Sequence, residues 1–184
     1  MPKQVTVKAR SSSITNAFFN GIIPCIEPTD EEIEEAIKVL GMTAETVCCA
    51  YCGDKMSEWD HFHPLVVDRK PTGYITEIHN LVPSCGKCNQ SKGNKDWKKW
   101  MYSNAKQSPK SRGIAGLEQR VERLEKYEKR FEPQKYDLEA IVGEKLWKKH
   151  LENLEGIINT MNDAQRTSDK IQEILKNNIS INNK

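Results

Sequence analysis

Cys49-Ala50-Tyr51-Cys52 begins the segment on which the folding of this chain depends, and Cys85-Gly86-Lys87-Cys88 ends it. Two turns with this Cys-x-x-Cys spacing can point four sulfurs at one tetrahedral ion, which would clamp residues 53 to 84 between them. Zinc bound by all four thiolates has no open position for water, so we expect one structural zinc per chain that does no chemistry. The alternatives are two reduced surface turns or a redox pair. The leftover Cys25 and Cys48 are predicted to be small core residues.

The chain as a whole has 184 residues, which suits one compact core with additions rather than two ordinary domains. No apolar run approaches the roughly 20 residues that a membrane helix needs, so we expect a cytoplasmic protein without a membrane segment. Eight Lys and Arg lie from Lys87 to Arg112 against the single Asp96, whereas seven Asp and Glu lie from Glu27 to Glu45 against the single Lys38. A basic block beside a candidate site suits a polyanionic partner.

Local patterns predict an α+β fold with a β, β, α order in the middle of the chain. A helix is predicted to start after Thr29, with Glu32 completing a capping box, and to end near Gly41. Strand cores are predicted at Val66-Val67 and Tyr74-Ile75. The second Cys-x-x-Cys is predicted to open a helix that runs through Met101, because the apolar residues there have helical spacing.

The last third of the chain is predicted to be a helical hairpin or bundle. Residues 103 to 116 are rich in Ser, Lys, Pro and Gly and are interpreted as a linker. Apolar residues three or four apart then predict a helix that ends before Pro133, a long helix over about 138–161 and a third over about 164–175. The predicted division is an N-terminal extension with one helix (1–46), a core with the zinc site (47–102), the linker (103–116) and a helical C-terminal region (117–184).

Four motifs follow one another through the predicted core. They are Tyr51-Cys52-Gly53, Asp60-His61-Phe62-His63-Pro64-Leu65, Asn80-Leu81-Val82-Pro83-Ser84-Cys85-Gly86-Lys87-Cys88-Asn89 and Ser91-Lys92-Gly93. In order and spacing they resemble the HNH endonuclease family, and the resemblance covers about residues 47 to 97. It implies a ββα-metal fold, which agrees with the predicted β, β, α order, and it identifies 47–102 as an HNH nuclease core.

The resemblance implies a role for each matching residue. His61 is the general base that takes a proton from the attacking water, and Asp60 binds the catalytic divalent metal. Asn80 is the middle Asn of the motif, which braces the loop between the strands. Asn89 stands where many family members have a third His and is the second metal ligand, so the chain is an H-N-N variant.

The chemistry of these side chains agrees with the implied roles. An imidazole with a pKa of about 6.5 is substantially neutral at physiological pH and can accept a water proton. The oxygens of Asp60 and Asn89 are hard ligands, which favours Mg²⁺ or Mn²⁺ over softer ions. Lys92 and Lys95 follow near the helix start and are candidate phosphate contacts. His63 is interpreted as a supporting or DNA-facing residue, with a ligand role as the alternative.

The function implied is that of a metal-dependent endonuclease that hydrolyses phosphodiester bonds of double-stranded DNA and leaves 5′-phosphate and 3′-hydroxyl ends. A small stand-alone HNH domain with its own extra segments is often a type II restriction enzyme, which is the expected subclass. Because one ββα site cuts one strand, a double-strand break needs two chains, and the C-terminal helices can supply a homodimer interface. They can instead dock on the core or read the major groove. The alternatives are a monomeric nicking or homing-type HNH nuclease and a non-catalytic zinc module that binds nucleic acid.

Overall fold

The computed structural model of the protein describes residues 5–181 and divides the chain into two compact units. One unit is Ile22–Tyr136, and the other combines Met1–Gly21 with Asp137–Lys184. The predicted regions 1–46 and 117–184 each extend by a few residues outside the described part of the chain. The predicted division remains a prediction about domains, but the compact units do not break at residues 46, 102 or 116.

The unit Ile22–Tyr136 has a small antiparallel sheet followed by a short helix at its centre. In chain order its elements are α2 (Asp30–Val39), β1 (Glu58–His61), β2 (Val66–Val67), β3 (Lys70–Pro71), β4 (Leu81–Ser84), α3 (Gly86–Lys92), α4 (Trp97–Met101) and α5 (Leu117–Phe131). Strands β1 and β4 pair so that Asp60 faces Val82 and His61 faces Leu81. Cys85 is the N-cap of α3, so the second Cys-x-x-Cys opens a helix as predicted. The predicted β, β, α order of an α+β fold is confirmed.

Aromatic side chains fill the core on which this sheet lies. Phe62 stacks on Trp97 with ring centroids 4.9 Å apart, and Tyr51 meets Trp100 edge-on at 5.2 Å. Helix α5 contributes Tyr127, which is fully buried and whose single hydroxyl proton is shared between the carbonyl oxygens of residues 78 and 81, at 2.7 and 2.8 Å. Helix α5, which is predicted to belong to the C-terminal region, therefore packs in the same unit as the zinc segment. It also fixes the start of β4.

The predicted first helix is confirmed. In α2, the Thr29 hydroxyl accepts a hydrogen bond from the Glu32 backbone N–H at 3.2 Å, and the Glu32 carboxylate accepts one from Thr29 N–H at 2.8 Å. This reciprocal capping box satisfies two backbone donors that would otherwise lack partners at the helix start. The helix buries Ala36 and Ile37 against the core.

Two predictions about local structure in this unit are wrong. Tyr74-Ile75 is not a strand, because the partner of β2 is Lys70–Pro71, which follows after a turn of only two residues. The helix predicted to run from the second Cys-x-x-Cys through Met101 is interrupted at Gly93, which has a φ of +49°. A new helix, α4, then starts with the Asp96 carboxylate accepting a hydrogen bond from Lys99 N–H at 2.8 Å.

The segment 103–116, interpreted as a linker, is a folded loop inside the unit Ile22–Tyr136. Ser108 is fully buried, and its hydroxyl donates a hydrogen bond to the Ser103 carbonyl at 2.7 Å. The loop connects α4 to α5 while both helices pack on one core. The segment resembles a linker in composition because its tight turns favour the same residues, Ser, Pro and Gly.

The other unit is helical. It contains α1 (Ser11–Asn20), α6 (Leu138–Val142) and α7 (Glu144–Ile181), with a short 3-10 helix over Val7–Arg10. The sequence predicts one helix in the first 46 residues, whereas α1 and α2 both form there. It also predicts a long helix from about 138 and a third from about 164, but the break lies at Gly143, with φ of +90°, and α7 then continues through 38 residues. None of the helices in residues 5–181 has the length and apolarity needed to cross a bilayer.

Candidate metal and catalytic site

The four cysteines predicted as zinc ligands lie together. The sulfurs of Cys49, Cys52, Cys85 and Cys88 are all within 4.8 Å of one another, and all four residues are buried. The sulfurs of Cys52 and Cys85 are 3.7 Å apart. Sulfurs around a tetrahedral zinc lie about 3.8 Å apart, since each Zn–S bond is about 2.3 Å. The cluster therefore fits a closed zinc site with no position for water.

Backbone hydrogen bonds shape the first of the two turns that carry these thiols. Cys49 N–H donates to the carbonyl of Asp54 and Gly53 N–H donates to the carbonyl of Cys49, both at 2.8 Å. Gly53 has a φ of +83°, a conformation that glycine adopts without steric cost. Hydrogen bonds from Cys52 and Cys88 lower the pKa of the Cys49 thiol to about 3, so this thiol ionises readily. A deprotonated thiol is the form that binds zinc.

The two remaining cysteines lie outside the cluster. Cys48 is half-buried and contacts the edge of the core. Cys25 is exposed, so its prediction as a core residue is wrong. Its backbone pairs with Thr76 in an isolated bridge, which leaves the side chain at the surface.

Two arginines contact the zinc segment from the part of the chain that follows α4. Arg112 places Nη1 3.5 Å from the sulfur of Cys88 and donates through Nη2 to the Asp54 carboxylate at 2.8 Å. The Arg120 guanidinium lies over Gly53, where an added Cβ would be 2.4 Å from Nη2. Four thiolates and one Zn²⁺ carry a net negative charge, which these cations offset. No local signal marks either arginine in the sequence, since Arg112 reaches Cys88 from 24 residues away.

Asp60 lies on β1 and is buried in an ion pair. Its Oδ2 accepts a hydrogen bond from the Tyr51 hydroxyl at 2.6 Å and lies 3.1 Å from Lys92 Nζ. Its Oδ1 has a longer contact with Lys92 Nζ, at 3.3 Å. Burial raises the pKa of the Asp60 carboxyl. The positive charge of Lys92 and the hydrogen bonds from Tyr51 and Lys92 lower it, but the net shift is upward.

Lys92 is not a phosphate contact, contrary to the prediction. Its side chain is fully buried, and its ammonium also donates a 2.7 Å hydrogen bond to the carbonyl oxygen of His61. It lies in the last turn of α3 rather than near the helix start, so it ties that helix to the end of β1. Lys95 is exposed and lies after the end of α3, where its ammonium donates to the carbonyls of Ser91 and Lys92 at 2.7 and 3.3 Å.

His61 ends β1 and is half-buried, with its Nε2 2.9 Å from the Thr76 hydroxyl oxygen. Burial, with a smaller contribution from the positive charge of Lys92, lowers the pKa of His61 to about 4. The imidazole is therefore neutral at physiological pH and can accept a proton. Thr76 was not singled out from the sequence, because it lies 15 residues from His61 and in no recognisable motif.

Asn80 is fully buried and joins the two ends of the segment between β1 and β4. Its side-chain oxygen accepts a hydrogen bond from His63 N–H at 2.8 Å, and its amide donates to the carbonyls of His63 and Ile75 at 3.1 and 3.2 Å. This is the geometry expected of a residue that braces the loop between the strands. The sequence placed Asn80 in that role through the family motif alone.

His63 is packed among protein groups. Its ring stacks on Tyr74 with centroids 4.5 Å apart, and its Nε2 is 3.2 Å from the Glu128 carboxylate. This environment agrees with a supporting role and leaves the ring little freedom to face DNA. Asn89 lies on α3, half-buried, and its side-chain amide has no hydrogen-bond partner within residues 5–181.

Replacing Lys92 by Met is expected to destabilise the unit Ile22–Tyr136 by about 3–5 kcal/mol, because it leaves the Asp60 carboxylate buried without its cation. The double variant Asp60→Asn, Lys92→Met is expected to recover most of this loss, since it removes both charges. Urea denaturation followed by tryptophan fluorescence measures the difference. Lys95→Met is the control, since Lys95 is an exposed lysine three residues further along the chain. Equal unfolding midpoints for Lys92→Met and Lys95→Met would refute the buried pair.

The geometry is that of a ββα core: an antiparallel strand pair and a short helix held by four clustered thiols, with a half-buried histidine at the end of the first strand. Residues 49–95 match the family model described as HNH endonuclease, so the resemblance seen in the motifs is confirmed over this segment. The match supports metal-dependent nuclease activity, that is, a hydrolase. Neither the curated proteins nor the solved structures yield a match to this chain.

Proposed function

We propose that this protein is a metal-dependent DNA endonuclease that hydrolyses phosphodiester bonds and leaves 5′-phosphate and 3′-hydroxyl ends. The observation that carries the proposal is the environment of His61, a neutral, half-buried imidazole at the end of β1 in a segment that matches a nuclease family. Such an imidazole can take the proton of a water molecule that attacks phosphorus. Asn80 holds the backbone two residues further on, which limits the movement of the loop that follows His61.

The catalytic cofactor proposed is Mg²⁺ or Mn²⁺, held by Asp60 and Asn89. Asn89 is proposed as the second ligand from its place in the HNH motif, within the matched segment 49–95. Within residues 5–181, Oδ1 of Asp60 accepts one hydrogen bond, the 3.3 Å contact from Lys92, which leaves a lone pair on this oxygen for a metal ion. Hard oxygen donors of this kind suit either ion. A bound divalent ion supplies charge compensation for the phosphate oxygens and the leaving alkoxide.

Double-stranded DNA is the proposed substrate. With Lys92 buried, Lys98 paired with Glu125 and Arg112 paired with Asp54, the basic block retains a smaller set of exposed cations than its sequence suggests. The exposed lysines of this block that make no ion pair within residues 5–181 are Lys87, Lys95, Lys99, Lys106 and Lys110. Exposed lysines contribute to DNA affinity through the phosphate backbone and carry no sequence information. We propose a sequence-specific type II restriction enzyme as the subclass.

A homodimer is proposed as the active form. The last part of α7 exposes large apolar side chains three or four residues apart: Ile171, Ile174, Leu175 and Ile179, each more than half exposed. Residues at this spacing lie on one face of a helix, and a second α7 can cover such a face. Two chains would bring two sites to one duplex, which a double-strand break requires.

Cleavage of supercoiled plasmid by zinc-loaded protein tests the proposal. We expect no cleavage until Mg²⁺ or Mn²⁺ is added, and then linear product whose ends DNA ligase can rejoin without prior phosphorylation. If the only product is nicked circles and the protein sediments as a monomer, the result would instead support a nicking or homing-type nuclease. If the protein binds plasmid but does not cleave it with either ion, the nuclease proposal is contradicted. A non-catalytic zinc module that binds nucleic acid would then be the remaining alternative.

A further inference from the structure

The segment between β1 and β4 carries a small hairpin with an unusual turn. Strands β2 and β3 pair with Val67 opposite Lys70, so only Asp68 and Arg69 form the turn. Both have positive φ, +49° and +62°. A two-residue hairpin turn with positive φ at both positions is normally Asn-Gly or a similar pair, because a Cβ is strained there. An arginine at the second position therefore carries a conformational cost.

The base of this hairpin is rigidly attached to the strand that ends at His61. Leu65 and Val66 are buried, and Thr72 closes the base by donating to the Pro64 carbonyl through its hydroxyl at 2.6 Å and to the Leu65 carbonyl through its N–H at 2.9 Å. Asn80 holds the chain on both sides of the hairpin. The turn thus has a fixed position relative to the loop that bears the candidate base.

The tip of the hairpin is exposed and its cations are unpaired. Asp68, Arg69 and Lys70 are all exposed, and within residues 5–181 neither Arg69 nor Lys70 takes part in an ion pair. Other cations of this unit, such as Lys92 and Arg112, are paired with carboxylates. The exposed guanidinium and carboxylate at the turn are the groups that read base edges: arginine donates in bidentate fashion to guanine, and aspartate accepts from the cytosine amino group.

We propose that the β2–β3 hairpin is the base-reading element of this protein, with Arg69 and Asp68 contacting base edges in the major groove of duplex DNA. A two-stranded β-ribbon fits the width of that groove. Lys70 contacts phosphate and helps to orient the tip. The proposal rests on the proposed function in that it takes duplex DNA as the substrate, and it adds which residues determine the target sequence.

Selection of bound sequences from a randomised duplex library tests the proposal, with His61→Ala as the background so that DNA is bound and not cut. We expect the background protein to enrich a motif containing guanine, and Arg69→Ala to lose the preference at one position by about 10-fold or more, since one bidentate contact discriminates by about that factor. Affinity for unrelated DNA is expected to change little. Arg69→Lys should lose the preference as Arg69→Ala does, because lysine lacks the two-pronged donor.

The double variant Asp68→Asn, Arg69→Gly separates reading from folding. It installs the residues that this turn favours, so thermal stability should stay equal or rise while the sequence preference is lost. An unchanged preference in Arg69→Ala and in this double variant overturns the proposal, as does an equal loss of affinity for all sequences. If the parent protein, with His61 intact, cuts plasmid in that case, the nuclease function survives and only the assignment of the hairpin fails.

Discussion

Serine at position 85 in place of Cys85 is expected to abolish zinc binding and to unfold the unit Ile22–Tyr136. The four sulfurs form one cluster inside the aromatic core, and the two turns that carry them are the anchors of β1, β4 and α3. Structural zinc in small domains contributes an apparent free energy of about 10–16 kcal/mol, which equals or exceeds the whole stability of a typical domain, about 5–15 kcal/mol. Loss of one thiolate removes much of that contribution.

Metal content by mass spectrometry and thermal unfolding by circular dichroism measure the effect. The parent should hold one zinc per chain, and Cys85→Ser less than a tenth of that. Cys48→Ser is the matched control, because Cys48 adjoins the ligand Cys49 but lies outside the cluster, so zinc content and melting temperature should match the parent. One zinc per chain in Cys85→Ser, with an unchanged melting curve, would refute the four-thiol site.

The four-cysteine cluster and the order of elements around it could be predicted from sequence, because both depend on short-range signals. Two Cys-x-x-Cys spacings define two turns, and a capping box at Thr29 and Glu32 defines a helix start within four residues. The prediction of Asn80 as a brace also agrees with its contacts, since the motif fixed its place between the strands.

Predictions that depended on long-range packing were wrong. Lys92 looked like a phosphate contact in a basic run, but it is paired with Asp60 from 32 residues away, and no local signal reports such burial. Tyr74-Ile75 has the composition of a strand, yet the chain turns back earlier, at Asp68-Arg69, where no glycine announces a hairpin. In both places tertiary contacts outweigh local preference.

Replacing His61 by Ala is expected to lower the single-turnover rate of plasmid cleavage by about 10²–10⁴-fold, the range that a positioned general base contributes. The fold should persist, because His61 is half-buried and, among the described residues, its side chain makes one hydrogen bond, to the Thr76 hydroxyl. His79→Ala is the control, since His79 is the histidine next to Asn80 in the same unit and stacks on Phe131, 4.8 Å between centroids, without a proposed catalytic role. It should cleave within a few-fold of the parent.

The central claim is that hydrolysis depends on His61 while zinc holds the fold. The most direct test compares the cleavage rates of zinc-loaded His61→Ala and the zinc-loaded parent at saturating Mg²⁺ or Mn²⁺. We expect equal zinc content, equal melting temperature and a rate at least about 10²-fold lower for His61→Ala. A His61→Ala protein that cleaves as fast as the parent would contradict it.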